Sequence, residues 1–289
     1  VKPNIAIITN ISYAHIKNFK NLKEIAKAKA EIINNIVDHG CIVLNKDDKF
    51  FNFLKKIAKR RNIEILTFSK KLSADVQLLK IKKNNFHHVL FVRVFGDLRK
   101  FKIKKNNIHI VENLLAVITI ISKILKKNII NENIFYKYKT PSGRGDNFVF
   151  KMKKRKVRII DESYNSNPLS LKFAINRFSN LKINKNKKNI LLGDMLELGK
   201  YSTKLHIDAS KYLNKAKINK VYVYGNYIKK TFNRIYTHKK GRILKNKKDI
   251  FELIHKNIKN NDYLMIKGSK RTGLNNIVNI LKKRTNNAL

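Results

Sequence analysis

After residue 146 the chain repeats one pattern four times: a short apolar run, then a stretch of helical period. The runs are Val157–Ile160, Ile190–Leu192, Val221–Tyr224 and Tyr263–Ile266. Runs this short and this apolar suit strands buried on both faces. Helical connections between them imply a parallel sheet covered by helices on both sides. The front of the chain alternates similarly. Ile5–Ile11 reads as a strand, Leu22–Val37 as an amphipathic helix, Cys41–Leu44 as a strand and Lys49–Arg60 as a helix. Between Val76 and Ile103 the period shortens to two, which suggests antiparallel strands, and Ile110–Leu125 reads as an apolar helix. The densest cluster of turn residues is Thr140-Pro141-Ser142-Gly143-Arg144-Gly145-Asp146. A boundary beside it gives two domains, 1–139 and 140–289. Asn184–Asn189 reads as a solvated loop.

Charge is the next constraint. The chain has 65 basic and 19 acidic residues, a formal charge of +46. That invites a polyanion-binding reading, because cations displace phosphate counterions. The basic residues, however, are 53 Lys against 12 Arg, accompanied by 40 Ile and 38 Asn. Those three abundant residues have AT-rich codons, and the excess runs from end to end. Base drift explains it better than a selected site, so only nonspecific, salt-sensitive nucleic-acid binding is expected. Hydrophobic residues at 43% exclude a disordered arm. No uninterrupted apolar run reaches the ~18 residues of a spanning helix, and no membrane insertion is expected. One cysteine, Cys41, fits a reducing compartment. A cytoplasmic monomer is the expectation.

In an open parallel sheet, ligands bind beyond the carboxyl ends of the strands. Three polar turns follow strands there: Asp161-Glu162-Ser163-Tyr164-Asn165-Ser166-Asn167-Pro168, Gly193-Asp194-Met195-Leu196-Glu197-Leu198-Gly199 and Lys267-Gly268-Ser269. Each alone could be ordinary turn and cap chemistry; together at one edge they point to a site. Asn167 before Pro168 reads as an N-cap followed by the first helical residue.

These blocks resemble the Mur ligase family. So do Lys2-Pro3-Asn4 with Ala14-His15, Ala26-Lys27-Ala28-Lys29-Ala30-Glu31, His109-Ile110-Val111-Glu112-Asn113 and Pro141-Ser142-Gly143-Arg144-Gly145. The resemblance covers essentially the whole chain in order. It implies an α/β fold: the rear of a central ATP-binding domain followed by a Rossmann-like, doubly wound domain on the amine-substrate side. Within the family the match is to members that add D-alanyl-D-alanine to UDP-N-acetylmuramoyl-tripeptide. Diaminopimelate-adding and folylpolyglutamate-type ligases are alternatives from the same superfamily, and a noncatalytic polyanion binder is one from another class. The implied chemistry uses ATP and Mg²⁺ to make an acyl phosphate, which an amine then attacks.

By the same resemblance His15 is a Mg²⁺ ligand and Lys29 a carbamylated lysine at the metal. Asn113 contacts adenine, Arg144 reaches the ATP phosphates, and Asp161–Glu162 hold the ribose. Asn165, Asn167, Asp194 and Glu197 surround the incoming dipeptide, with Lys267 and Ser269 on the same edge. Read from the residues alone, Lys29 and Lys267 could be solvated lysines, and Asn113 a buried polar group. Several positions depart from the pattern: Glu162 replaces an Asp, Asn107 and Ser210 replace glycines, and Gly273 stands where an Arg is usual. No Gly-x-x-Gly-Lys-[Ser/Thr] phosphate loop occurs in the 289 residues. The expectation is therefore a fragment or a degenerate relic, inactive alone.

Overall fold

A computed structural model describes residues 2–13, 16–125, 131–152 and 155–286. The chain forms two compact units, Val1–Ser12 with Phe19–Lys139, and Tyr13–Asn18 with Thr140–Leu289.

The first unit is one six-stranded sheet in sequential order: β1 (Ile5–Ile8), β2 (Cys41–Asn45), β3 (Glu64–Ser69), β4 (Val76–Lys83), β5 (His87–Val94) and β6 (Asp97–Lys104). The first four are parallel, and β4, β5 and β6 run antiparallel. The period-two reading of 76–103 thus stands, whereas β3 carried too mixed a pattern to be read as a strand. The helix α1 (Leu22–Asn34) starts on the Asn21 cap and stops three residues short of the expected Val37. Helix α2 is Phe51–Arg60, and α3 is Val111–Ile124. Strand alternation sends Cys41 and Val43 to one face, into a core with Phe68, Leu90, Phe101, Leu115 and Ile118. Ile42 and Leu44 face the other way, where α1 and α2 pack. The stretch Asn107–Ile124 is long and apolar enough to span a membrane by composition. Here α3 spends that apolar surface on the sheet, burying Leu115 and Ile118 completely.

The second unit is also six-stranded. Its strands are β7 (Asp146–Met152), β8 (Arg155–Glu162), β9 (Lys188–Gly193), β10 (Lys220–Tyr224), β11 (Lys240–Leu244) and β12 (Tyr263–Lys267). Their order is β11-β10-β9-β12-β8-β7, all parallel except the edge strand β7. The four predicted strands are present. The edge strands β7 and β11 were not read, because half-exposed edges lack a continuous apolar run. Helices are α4 (Pro168–Ser179), α5 (Ser202–Lys215), α6 (Ile228–Arg234), α7 (Lys247–Glu252) and α8 (Leu274–Asn286). Residues of α7 and α8 (Ile250, Leu274, Ile277, Leu281) share a core with Val157, Leu191 and Leu264. Helix α5 packs against α4 and against α6, and α6 on β10.

The expected loop at 184–189 is corrected. Only its first part is a turn; Lys188 and Asn189 open β9 and are buried. The Lys188 ammonium donates to the carbonyls of Ser179 (2.6 Å) and Leu181 (2.8 Å). It thereby satisfies orphan acceptors at the C-terminus of α4.

Candidate functional site

The strand order decides where a site can form. Chain order reverses around β12, which lies between β9 and β8, so their carboxyl ends are neighbours. Register places Lys267 beside Glu162 on one side and Leu192 on the other. The three polar turns therefore meet at one edge, at a topological switch point.

Ser269 ties them together. Its N–H donates to the Asp194 carbonyl (3.0 Å), its hydroxyl to the Ser166 carbonyl (3.1 Å), and its Oγ accepts the Leu196 N–H (2.8 Å). Asp194 looks away, toward α6. Its carboxylate accepts the N–H groups of Asn226 (3.0 Å) and Ile228 (2.7 Å), which lie at that helix's start. His206 is fully buried and braces the same turn, its Nε2 accepting the Met195 N–H at 3.0 Å. Nδ1 lies 2.7 Å from the Ser202 carbonyl, so the neutral Nδ1–H tautomer fits both contacts. Burial pushes the imidazole pKa down, against the Ser202 hydrogen bond and the Asp194 charge. Glu197 and Gly199 adopt left-handed backbone, and the Glu197 carbonyl accepts the Lys17 N–H at 2.9 Å.

After β8 the acidic pair divides its labour. Asp161 is 1% exposed; Oδ1 accepts the N–H (3.0 Å) and hydroxyl (2.6 Å) of Ser163. Its Oδ2 meets the Lys282 ammonium of α8 at 2.7 Å. The same ammonium reaches Asp146 Oδ2 and Ser142 Oγ, both at 2.7 Å. Burial alone would lower the Lys282 pKa, but the hydrogen bonds to Asp146 and Asp161 outweigh it and hold it high. Lys282 so clamps the 142–146 turn to the end of β8. Gly143 and Gly145 supply the positive φ the turn needs, and a Cβ on Gly145 would strike the Arg177 guanidinium. Arg144, at the tip, stacks on the Tyr164 ring at 4.3 Å.

Glu162 pairs with Arg177 of α4. Lys267 is 2% exposed and donates to the Asn165 carbonyl at 3.0 Å. Burial first, then the charges of Arg177 and Arg144, bring its pKa down to about 7. Glu162 lies 4.0 Å from the ammonium but is already engaged by Arg177, so it does not offset the burial. Asn167 is the α4 N-cap, in a reciprocal box with Ser170. Asn165, like Arg144 and Tyr164, is exposed.

In the first unit the carboxyl edge is fixed by other means. Asp48 accepts the N–H groups of Ile11 and Phe50, both at 2.8 Å, holding the turn after β1. Asn45 donates to the Thr9 carbonyl (3.0 Å) and to Glu112 (3.1 Å) of α3, and Lys70 pairs with the same carboxylate. Lys29, on the exposed side of α1, sends its ammonium to the Asn10 carbonyl at 2.8 Å. Burial of that ammonium lowers its pKa, outweighing the attraction of Asp48. Asn113 is exposed one residue after Glu112. His15 lies outside the described residues.

The residues expected to face a ligand thus separate. Asp161, Asn167, Asp194 and Ser269 spend their polar atoms on the frame, whereas Lys29, Asn113, Arg144 and Asn165 are exposed. Sequence reading missed Lys282, Arg177 and Tyr164 as site residues. Arg177 carried a signal, being one of only 12 arginines; Lys282 carried none among so many lysines.

Comparison with known proteins follows the same division. Residues 1–121 match the Mur ligase middle domain, and residues 148–270 match the Mur ligase glutamate ligase domain. UDP-N-acetylmuramoyl-tripeptide–D-alanyl-D-alanine ligase of Rickettsia prowazekii is 30% identical over 282 residues, covering 96% of this chain and 61% of the relative. The crystal structure of MurF from Acinetobacter baumannii superposes with a TM-score of 0.79 at 21% identity, over 98% of this chain and 60% of that one. MurF ligase from Thermotoga maritima in complex with ADP gives 0.77 at 22% identity, over 100% and 64%. At those identities the structures speak for the fold. The chain spans about three fifths of the length of the curated relatives it matches, 61% of the first.

Proposed function

The chain belongs to the Mur ligase family, and from that premise we propose that it supplies the nucleotide and amine side of an ATP-dependent peptide ligase. The reaction joins D-alanyl-D-alanine to UDP-N-acetylmuramoyl-tripeptide in the cytoplasm. Residues 1–139 would be the rear of the ATP-binding domain and 140–289 the amine-side domain. The observation that carries this reading is the junction of three turns at one switch point, knotted by Ser269.

The chemistry needs two steps. The tripeptide carboxylate attacks the γ-phosphorus of ATP, releasing ADP and leaving an acyl phosphate. The neutral dipeptide amine then adds to the acyl carbon, and the tetrahedral intermediate expels phosphate and forms the amide. Phosphoryl transfer is catalysed by placed positive charge. Arg144, exposed on a clamped turn, is the cation offered to the phosphates. Asn113 is offered to the adenine and Asn165 to the dipeptide. The buried Asp161, Asp194 and Ser269 and the half-buried Asn167 act by holding those turns in place.

Among the described residues no group of three or more His, Cys, Asp or Glu could hold a metal, so Mg²⁺ would fit through chemistry at Lys29. As an ammonium Lys29 repels a cation; carbamylated, it would present the oxygens a hard metal prefers. Carbamylation consumes the neutral amine, and the lowered pKa of Lys29 favours that form. Lys29 as its carbamate, with His15, would hold the metal, which supplies neutralisation of phosphate oxygens when bound.

The test is amine selectivity. The chain, joined behind a phosphate-loop segment from a relative, is given ATP, Mg²⁺, UDP-N-acetylmuramoyl-tripeptide and one amine at a time, and products are weighed by mass spectrometry. D-alanyl-D-alanine should be ligated in preference to D-glutamate or diaminopimelate. Preference for either of those would replace the reading with another ligase of the family.

A further inference from the structure

The β4–β5 hairpin ends in the turn Asn84-Asn85-Phe86-His87, closed by the Asn84 N–H to the His87 carbonyl at 3.0 Å. At its tip Phe86 is 86% exposed, the most exposed large apolar side chain among the described residues. Nothing in the fold needs a phenylalanine there, since the inner face of the hairpin already fills the core with Val76, Leu90 and Val92.

Lysines surround the tip. Antiparallel register sets Lys82 and Lys102 on either side of Val89, Lys104 opposite His87 and Lys83 opposite His88. Neighbouring strands lie about 4.8 Å apart, so these four lysines sit within a few rungs of Phe86, Lys83 on the opposite face of the ribbon from the other three. Lysine is common throughout this chain and its abundance alone argues nothing. The absence of acids is informative: from Val76 to Val111 the single carboxylate is Asp97, at the opposite turn. Glu132, whose carbonyl receives the Lys102 N–H, runs beside β6, and the four lysines outnumber it.

We propose that this hairpin tip docks the protein peripherally on an anionic lipid surface, Phe86 entering the interface and the lysines meeting headgroup phosphates. An interfacial contact needs an apolar point in a ring of cations, and both are present. A single-stranded nucleic acid would need successive open aromatic faces to stack on. Of the other rings near the tip, Phe91 is covered by the Lys80 and Lys100 ammonium groups at 4.7 and 5.8 Å from its ring centre, and His87 meets Tyr136 edge-on at 6.3 Å, so no row of open stacked faces is offered. The contact is shallow and independent of the ligase reading.

The chain has no tryptophan, so Phe86→Trp makes a single fluorescent reporter at an exposed position. Phosphatidylglycerol–phosphatidylcholine vesicles at physiological ionic strength should shift its emission to the blue, and brominated acyl chains should quench it. Phosphatidylcholine alone should do neither. Lys82→Glu with Lys104→Glu should weaken vesicle binding by at least about tenfold. A Phe173→Trp chain, exposed on α4 of the other unit, should bind vesicles without a shift. Equal shifts at both tryptophans, or sedimentation with an unchanged Phe86→Trp spectrum, would mean adsorption through total charge and overturn the proposal. A single-stranded RNA that shifts the Phe86→Trp emission as strongly as vesicles do would overturn it in favour of nucleic acid.

Discussion

The two units present the same architectural edge, the carboxyl ends of parallel strands, and stabilise it by opposite chemistry. In the first, carboxylates and an amide accept and donate to backbone: Asp48 to Ile11 and Phe50, Asn45 to Thr9. In the second, the frame is built from buried and half-buried ionisable groups: Asp161 with Lys282, Glu162 with Arg177, Lys267 and neutral His206. The second contains groups whose charge is costly where it stands, so its rigidity follows pH. A polar residue just after a strand is therefore more often frame than ligand in both units. The exposed neighbours, Asn113 in one and Arg144 and Asn165 in the other, are the ones we propose meet substrate.

The largest effect expected is on turnover and lies in the first unit. Lys29→Ala should abolish ligation by the joined enzyme, and short carboxylates should restore part of it. Undiminished turnover would remove Lys29 from the site and leave that edge purely structural. Next is the clamp of the second unit. Lys282→Met strands the buried Asp161 carboxylate and should cost about 3 kcal/mol in denaturant unfolding, whereas Lys282→Arg should keep most of it. A neutral Lys282→Met chain would show that the turn holds itself.

The third prediction uses pH. Unfolded, Lys267 keeps its proton to about pH 10.4; folded, it releases it near pH 7, its pKa being brought down to about 7. Between those values the unfolded chain binds more protons, so the contribution of Lys267 to stability rises with pH. Compared with Lys267→Met, the native chain should gain about 2–3 kcal/mol between pH 7 and pH 9. A flat difference would mean that Lys267 stays charged. Smaller still, Ser269→Ala should cost about 2 kcal/mol by leaving the Leu196 N–H and the Ser166 carbonyl without their partner. The first unit should be untouched by all three changes in the second.

Much of this was legible in the sequence because burial on both faces writes itself as short apolar runs. The strands β8, β9, β10 and β12 were readable for that reason, as was Asn167 as a cap before Pro168. The strands β3, β7 and β11 were not, because partly exposed strands mix polar residues into the pattern. In the sequence Lys188 reads as part of a solvated loop, since composition cannot tell a lysine that caps a helix end from one in water. The three polar turns stand out in the chain by their chemistry, and the fold brings them to one edge, but which side chains stay exposed depends on where each one points. Asp161 and Asp194 look like binding acids in the chain; in the fold their oxygens engage Ser163 and Lys282, and the backbone of Asn226 and Ile228.

The central claim is that these residues carry the nucleotide and amine side of a ligase whose phosphate loop is not within them. It is tested most directly by D-alanyl-D-alanine-dependent phosphate release, measured for the 289 residues alone and joined behind a phosphate-loop segment. The account predicts no release from the chain alone and sustained release from the joined protein. Turnover by the chain alone, or silence from a folded joined protein, would contradict it.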